Sequence, residues 1–182
     1  MKLRIFLSLL LVVAIFSACK KGDGDQDYGF PYIYMPQSTL SGGLDNYYTV
    51  PSGGGEYTYN FKIENGKLNI ILGVLHSGKL PDAAYSVTVS GTEPSASVLA
   101  AVGGIAMPSS LYTLPQKVDV SGDKSGETFY LSVDAAALAS ETYSGQKLVL
   151  TVGISNPSKF ELAETGTSVV VIVDVDKVKK FF

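Results

Sequence analysis

Few residues in this chain have side chains suited to catalysis. There is one histidine, His76, and one cysteine, Cys19. A Ser-His-Asp or Cys-His arrangement would have to run through His76. That residue closes an apolar run and stands beside Ser77-Gly78, where a solvated loop position is expected. A zinc site needs three or four nitrogen or sulfur ligands, more than this chain can supply. Paired carboxylates could hydrolyse glycosidic bonds. The nearest pair is Asp174 and Asp176, two apart on a predicted strand and so on one face. Next to Lys177 they read as a solvated strand end, and Glu161 and Glu164 read as exposed loop residues. Asp23, Asp25 and Asp27 alternate as in a calcium loop, but its sixth and twelfth positions would be Tyr28 and Tyr34, where Gly and Glu are required. The chain lacks the G-x-S-x-G, P-loop and dinucleotide patterns. Ser52-Gly53-Gly54-Gly55 leads into a predicted strand rather than the helix N-terminus a phosphate cradle needs. No catalytic residue, metal or cofactor is expected.

The tyrosines are the one feature that points at a ligand. The chain has 11 Tyr and no Trp. Sugar rings stack on exposed aromatic faces while the tyrosine hydroxyl stays wet. Tyr28, Tyr32, Tyr34, Tyr47 and Tyr48 are the expected platform. The competing reading makes them core and edge fillers of a β-sandwich.

Cys19 has a different chemistry. Lys2 and Arg4 precede an apolar run, Ile5 to Phe16, which ends at Ser17-Ala18-Cys19. A positive start, a short apolar stretch and small residues before a cut make a secretory leader. The run is too short for a membrane span, which wants ~20 apolar residues. Phe16-Ser17-Ala18-Cys19 resembles the bacterial lipobox, in which the cysteine receives diacylglycerol before cleavage. A lone cysteine cannot form an internal disulfide. Thioether attachment to lipid removes the free thiol, and at ~0.8 kcal/mol per buried methylene several acyl chains anchor stably. The expected organisation is a signal peptide over 1–18, a lipidated tether over 19–27 and a single domain over 28–182 with no second module. The tether, Lys-Lys-Gly-Asp-Gly-Asp-Gln-Asp after Cys19, is too polar to bury a core. It is similar to the acidic segments that favour export to the outer leaflet of the outer membrane.

Loss of Lys2 and Arg4 with the leader takes the net charge from −3 to about −5. That balance argues against nucleic acid and against an anionic membrane surface as partners. Charged residues are only 17% of the chain, and Gly, Ser, Thr, Val and Tyr are plentiful, as in an all-β extracellular domain. Period-two alternation marks strands over Tyr32–Met35 (edge, between Pro31 and Pro36), Glu56–Glu64, Tyr85–Val89, Thr128–Val133 and Lys147–Ile154. Apolar runs mark central strands at Leu68–His76 and Thr167–Val175. Tyr47–Val50, Leu111–Pro115 and Lys117–Val120 read as extended. Asn65-Gly66 predicts a hairpin. Ser95–Val102, closed by Gly103-Gly104, and Asp134–Ala139 predict short capped helices, and Lys177–Phe182 a polar-then-aromatic tail. About seven principal strands at this spacing predict an immunoglobulin-like antiparallel β-sandwich with short helical turns.

Several of these segments also carry a likeness. The strand Tyr32–Gln37, the turn after Val50-Pro51, Leu111–Pro115, the Ser121–Gly126 turn into Thr128–Val133, and Asp134–Leu138 before Gln146–Ile154 resemble a Bacteroidetes surface lipoprotein domain of uncharacterised function. The likeness covers residues 30–176. Domains of that kind stand ahead of glycoside hydrolase family 18 and glycan-binding modules. The resemblance implies an immunoglobulin-like sandwich at the cell surface and no catalytic residues. The expected role is a non-catalytic glycan-binding or accessory module whose partners are the membrane, through the lipid, and a polysaccharide. The alternative is an adhesin-like protein docking on another outer-membrane component through an exposed strand edge.

Overall fold

The computed structural model describes residues 29–39, 46–78 and 84–182. Cys19, the leader, the tether with Asp23, Asp25 and Asp27, and Tyr28 lie outside the described residues. Among the described residues, no helix is long and apolar enough to cross a membrane.

Twelve strands form among the described residues: β1 (Tyr32–Tyr34), β2 (Tyr47–Val50), β3 (Phe61–Glu64), β4 (Lys67–His76), β5 (Tyr85–Thr92), β6 (Ile105–Ala106), β7 (Tyr112–Thr113), β8 (Lys117–Val120), β9 (Gly126–Asp134), β10 (Lys147–Ser155), β11 (Glu161–Leu162) and β12 (Ser168–Asp174). One sheet runs β11-β1-β4-β9-β7, with β3 also on β4, and the other runs β2-β12-β10-β5-β8, with β6 also on β10. Strand β1 lies in the first sheet, antiparallel to β4, and β2 lies in the second, parallel to β12. The paths β1-β4-β9 and β12-β10-β5 reproduce the A-B-E and G-F-C orders at the centre of an immunoglobulin sandwich. The fold is therefore an all-β, immunoglobulin-like sandwich.

The alternating sequences put one apolar row of each strand into the space between the sheets. Leu68, Ile70, Leu72 and Val74 of β4 face Phe129, Leu131 and Val133 of β9 on one layer, and Leu148, Leu150, Val152 and Ile154 of β10 lie opposite, all buried. Asn65 and Gly66 both take positive φ (54° and 71°), so a two-residue turn joins β3 to β4 with right-handed strand twist. Helix α1 (Ala96–Val102) starts on Ser95, whose side chain accepts the Val98 amide, and stops at Gly103 in the left-handed region. It covers the outer face of β10 and β12, where Val149, Val170 and Ile172 are buried. Helix α2 (Ala135–Ala139) is capped by Asp134, which accepts the Ala137 amide at 2.8 Å.

Four expectations are corrected. Strand β1 is not an edge: β11, only two residues long, pairs outside it. The alternation over Glu56–Glu64 yields strand only from Phe61. Thr58 Oγ1 accepts the amides of Gly54 and Gly55 at 2.9 and 3.0 Å and winds Glu56–Thr58 into a 3-10 turn, leaving Tyr57 99% exposed. Asp174 and Asp176 do not share a strand face. Asp174 caps helix α3 (Val175–Val178) and Asp176 accepts the Gly145 amide at 2.9 Å. The C-terminal segment is no free tail: Val175 and Val178 are buried, and Phe181 packs edge-on against Tyr59 and Phe61, with ring centres 5.1 Å away.

Candidate functional site

Tyr32 and Tyr34 are two apart on β1, with the fully buried Ile33 between them. Strand parity therefore turns both rings to the outer face of the first sheet. Tyr32 is 40% exposed and Tyr34 half-buried. They line a cleft of about 740 Å³ with Ser38, Thr39, Asn46, Ser77, Ala163, Thr165 and Gly166.

The cleft is held in place by backbone bonds. Ala163 N donates to Ile33 O at 2.9 Å and Met35 N to Gly166 O at 2.8 Å, fixing the 163–166 segment along β1. Ser77 Oγ donates to Phe30 O at 2.6 Å and accepts from Tyr32 N at 3.0 Å, while Ser77 N donates to Tyr32 O at 2.9 Å. Asn46 Nδ2 donates to Ser168 O at 3.0 Å. Gly166 sits at φ +81°, and a Cβ there would come 2.7 Å from Ser38 Oγ. A side chain at 166 would therefore fill one wall of the cleft and strain its backbone.

Strand β1 ends where it does for a local reason. Continuing its register would set Pro36 opposite Gly73, and Pro36 has no N–H to give. Gln37, the one buried polar side chain among the described residues, turns back and its Oε1 accepts the Gly73 amide at 3.2 Å. The 3-10 turn Pro36–Ser38 then aims Ser38 and Thr39 at the cleft.

The second pair of tyrosines goes elsewhere. Tyr47 and Tyr48 are adjacent on β2, so they point to opposite faces of the second sheet. Tyr47 packs with α1 over the outer face. Tyr48, 8% exposed, enters the core and its hydroxyl donates to Ile71 O of the other sheet at 3.0 Å. Here the β3–β4 ladder is half-broken: Ile71 N donates to Asn60 O, but Asn60 N turns away to Ser52 O. The tyrosine hydroxyl supplies the donor that Ile71 O lacks. Burial raises the Tyr48 pKa, partly offset by a hydrogen bond with Asn60. Tyr47 and Tyr48 line a separate cleft of about 590 Å³ with Ser52, Thr58, Tyr59 and Asn60. The described tyrosines thus do not form one platform: Tyr32 and Tyr34 share a site, Tyr47 lies in the other, and Tyr48 is a core residue.

His76 is not a solvated loop residue. It ends β4, half-buried, with Tyr85 and Phe160 rings 5.8 and 5.7 Å away and its Nδ1 3.0 Å from Ser77 O. Tyr85 is pushed up to about 12, first by burial and then by Tyr34 nearby. Its hydroxyl donates to Ser125 O at 3.1 Å. Among the described residues no carboxylate pairs with His76. Among the described residues no three His, Cys, Asp or Glu side chains gather as a metal site would need.

One aromatic partner of the first cleft was missed in sequence. Phe30 is 77% exposed and its ring lies 6.4 Å from that of Tyr32. Its signal was present, since Phe30, Tyr32 and Tyr34 keep the same period of two. The hydroxyls and amide of Ser38, Thr39, Asn46, Ser77 and Thr165 come from separate segments and carry no shared sequence mark.

No protein-family model matches the sequence, and no curated protein is significantly similar to it. Solved structures share the fold. A Bacteroides ovatus protein of unknown function superposes with TM-score 0.53 at 13% identity, over 79% of this chain and 45% of that one. A two-domain Bacteroides fragilis protein of unknown function gives 0.51 at 10% identity, over 80% and 45%. A second Bacteroides ovatus protein of unknown function gives 0.51 at 12% identity, over 81% and 52%. The chain spans about half the length of each of these three proteins.

Proposed function

We propose that this protein is a lipid-anchored module of the bacterial outer-membrane surface that captures glycan without catalysis. The observation that carries the glycan reading is the cleft beside β1. Two tyrosines share one face, an exposed phenylalanine continues it, and four hydroxyls and an amide stand around it. Aromatic faces take the apolar face of a sugar ring, and hydroxyls and amides take its edge. The likeness of residues 30–176 to domains that stand ahead of glycoside hydrolase family 18 and glycan-binding modules supports the same reading. The lipid anchor rests on Cys19 and the leader before it. Cys19→Ala is expected to abolish palmitate labelling, and normal labelling of that variant would overturn the anchor.

Docking through a strand edge has less support. The β8 edge carries the exposed Lys117–Asp119 pair at 2.6 Å, and charge on an edge discourages strand addition. On the β2 edge, Thr49 O already accepts Asn60 Nδ2 at 2.8 Å. The test of glycan capture is a polysaccharide array probed with the full chain and its Tyr32→Ala variant. Binding that weakens with the substitution is expected. Silence across host and dietary polysaccharides would overturn the reading.

A further inference from the structure

We infer that the cleft beside β1 selects uncharged glycans and rejects acidic ones such as uronate-containing polymers. This rests on the glycan reading and names its ligand class. The described lining has no lysine, arginine, aspartate or glutamate, only rings, hydroxyls and an amide. A carboxylate bound there would give up water and meet no cation among the described lining residues, and a charge that loses water without a partner is unfavourable. Recognition of carboxylate and phosphate is the work of arginine forks and lysines, and the described lining has neither.

The rim adds repulsion. Glu161 is the partner of Tyr32 in the parallel β1–β11 ladder, and residues opposite each other in a ladder share a face. Its exposed carboxylate therefore flanks the Tyr32 ring. Glu164, also exposed, sits between Ala163 and Thr165, both of which line the cleft. An anionic sugar stacked on Tyr32 would meet the negative charge of Glu161 beside it and of Glu164 on the same segment, a repulsion that salt screens over about 8 Å. Like-charge juxtaposition is how interfaces exclude wrong partners.

The experiment is affinity electrophoresis of the full chain in detergent, through gels carrying neutral polymers (dextran, mannan, xylan) or acidic ones (polygalacturonate, alginate). Retardation by at least one neutral polymer is expected, with acidic polymers bound about tenfold more weakly or not at all. In the Glu161→Gln, Glu164→Gln double variant the ratio of acidic to neutral affinity should rise several-fold. Binding of an acidic polymer as tight as or tighter than any neutral one would overturn the selectivity and leave glycan capture standing. An unchanged ratio in the double variant would overturn the role given to the rim. Binding of neither class would remove the glycan reading, and this inference with it.

Discussion

Tyr32 and Tyr34 are two residues apart, whereas Tyr47 and Tyr48 are neighbours, and the two pairs have unlike fates. On a strand the first spacing keeps both rings on one face, and the second splits them. The β1 pair therefore builds a wall that solvent can reach. The β2 pair sends Tyr47 under α1 and Tyr48 into the core, where its hydroxyl mends a ladder position that Asn60 has abandoned. Tyrosine content alone says nothing of binding. Parity on the strand, and what lies across the sandwich, decide whether a ring meets a ligand or a carbonyl.

The sharpest way to break this contrast is at Tyr48. Tyr48→Ala removes a ring that is 8% exposed and leaves a cavity between the sheets. A loss of about 3–5 kcal/mol is expected, as for large aromatic truncations in cores, read as a fall in the urea midpoint with unchanged slope. Tyr48→Phe keeps the ring and strips Ile71 O of its donor, so a loss of about 1–3 kcal/mol is expected. A Tyr48→Ala variant as stable as the parent would show that the hydroxyl and ring carry no packing role.

The same comparison marks what a reader of the sequence could see. Period two in Thr128–Val133 and Lys147–Ile154 was visible because apolar and polar residues alternate without interruption, and those rows are the core. Asn65-Gly66, Ser95 before α1 and Asp134 before α2 announced themselves by turn and cap chemistry. Glu56–Tyr59 alternates equally well, yet the Thr58 hydroxyl captures two glycine amides and wins over the strand pattern. A two-residue edge such as β11 has no period to detect, so β1 passed for an edge. The polar half of the cleft was illegible because Ser38, Asn46, Ser77 and Thr165 meet only through the sheet pairings of β1.

A milder test uses alkali. Burial pushes Tyr85 up to about 12 from its ordinary 10, and Tyr48 moves the same way. Below pH 10 these phenols are neutral in the folded and unfolded chains, and stability from this source is complete. Above pH 10 the unfolded chain releases its protons first, binds fewer than the folded chain, and is favoured. Stability should therefore decline between about pH 10 and 12. Tyr85→Phe should flatten part of that decline in denaturant midpoints taken across the range. A decline just as steep in that variant would assign the alkaline loss to other groups.

The smallest expected change in stability is the most informative about function. Tyr32→Ala removes a ring 40% exposed on a three-residue strand. The bonds that hold β1 there use backbone groups and Ser77, not the ring. The unfolding free energy read from urea titration should fall by no more than about 0.5 kcal/mol, as at surface positions without a special role. Affinity for a neutral polysaccharide should instead fall about tenfold, the worth of one aromatic contact. The two tyrosines would then separate cleanly, Tyr48 moving stability and Tyr32 moving binding. A stability loss at Tyr32 comparable to that at Tyr48, with glycan affinity untouched, would make the β1 wall a packing surface and erase the difference between the two pairs.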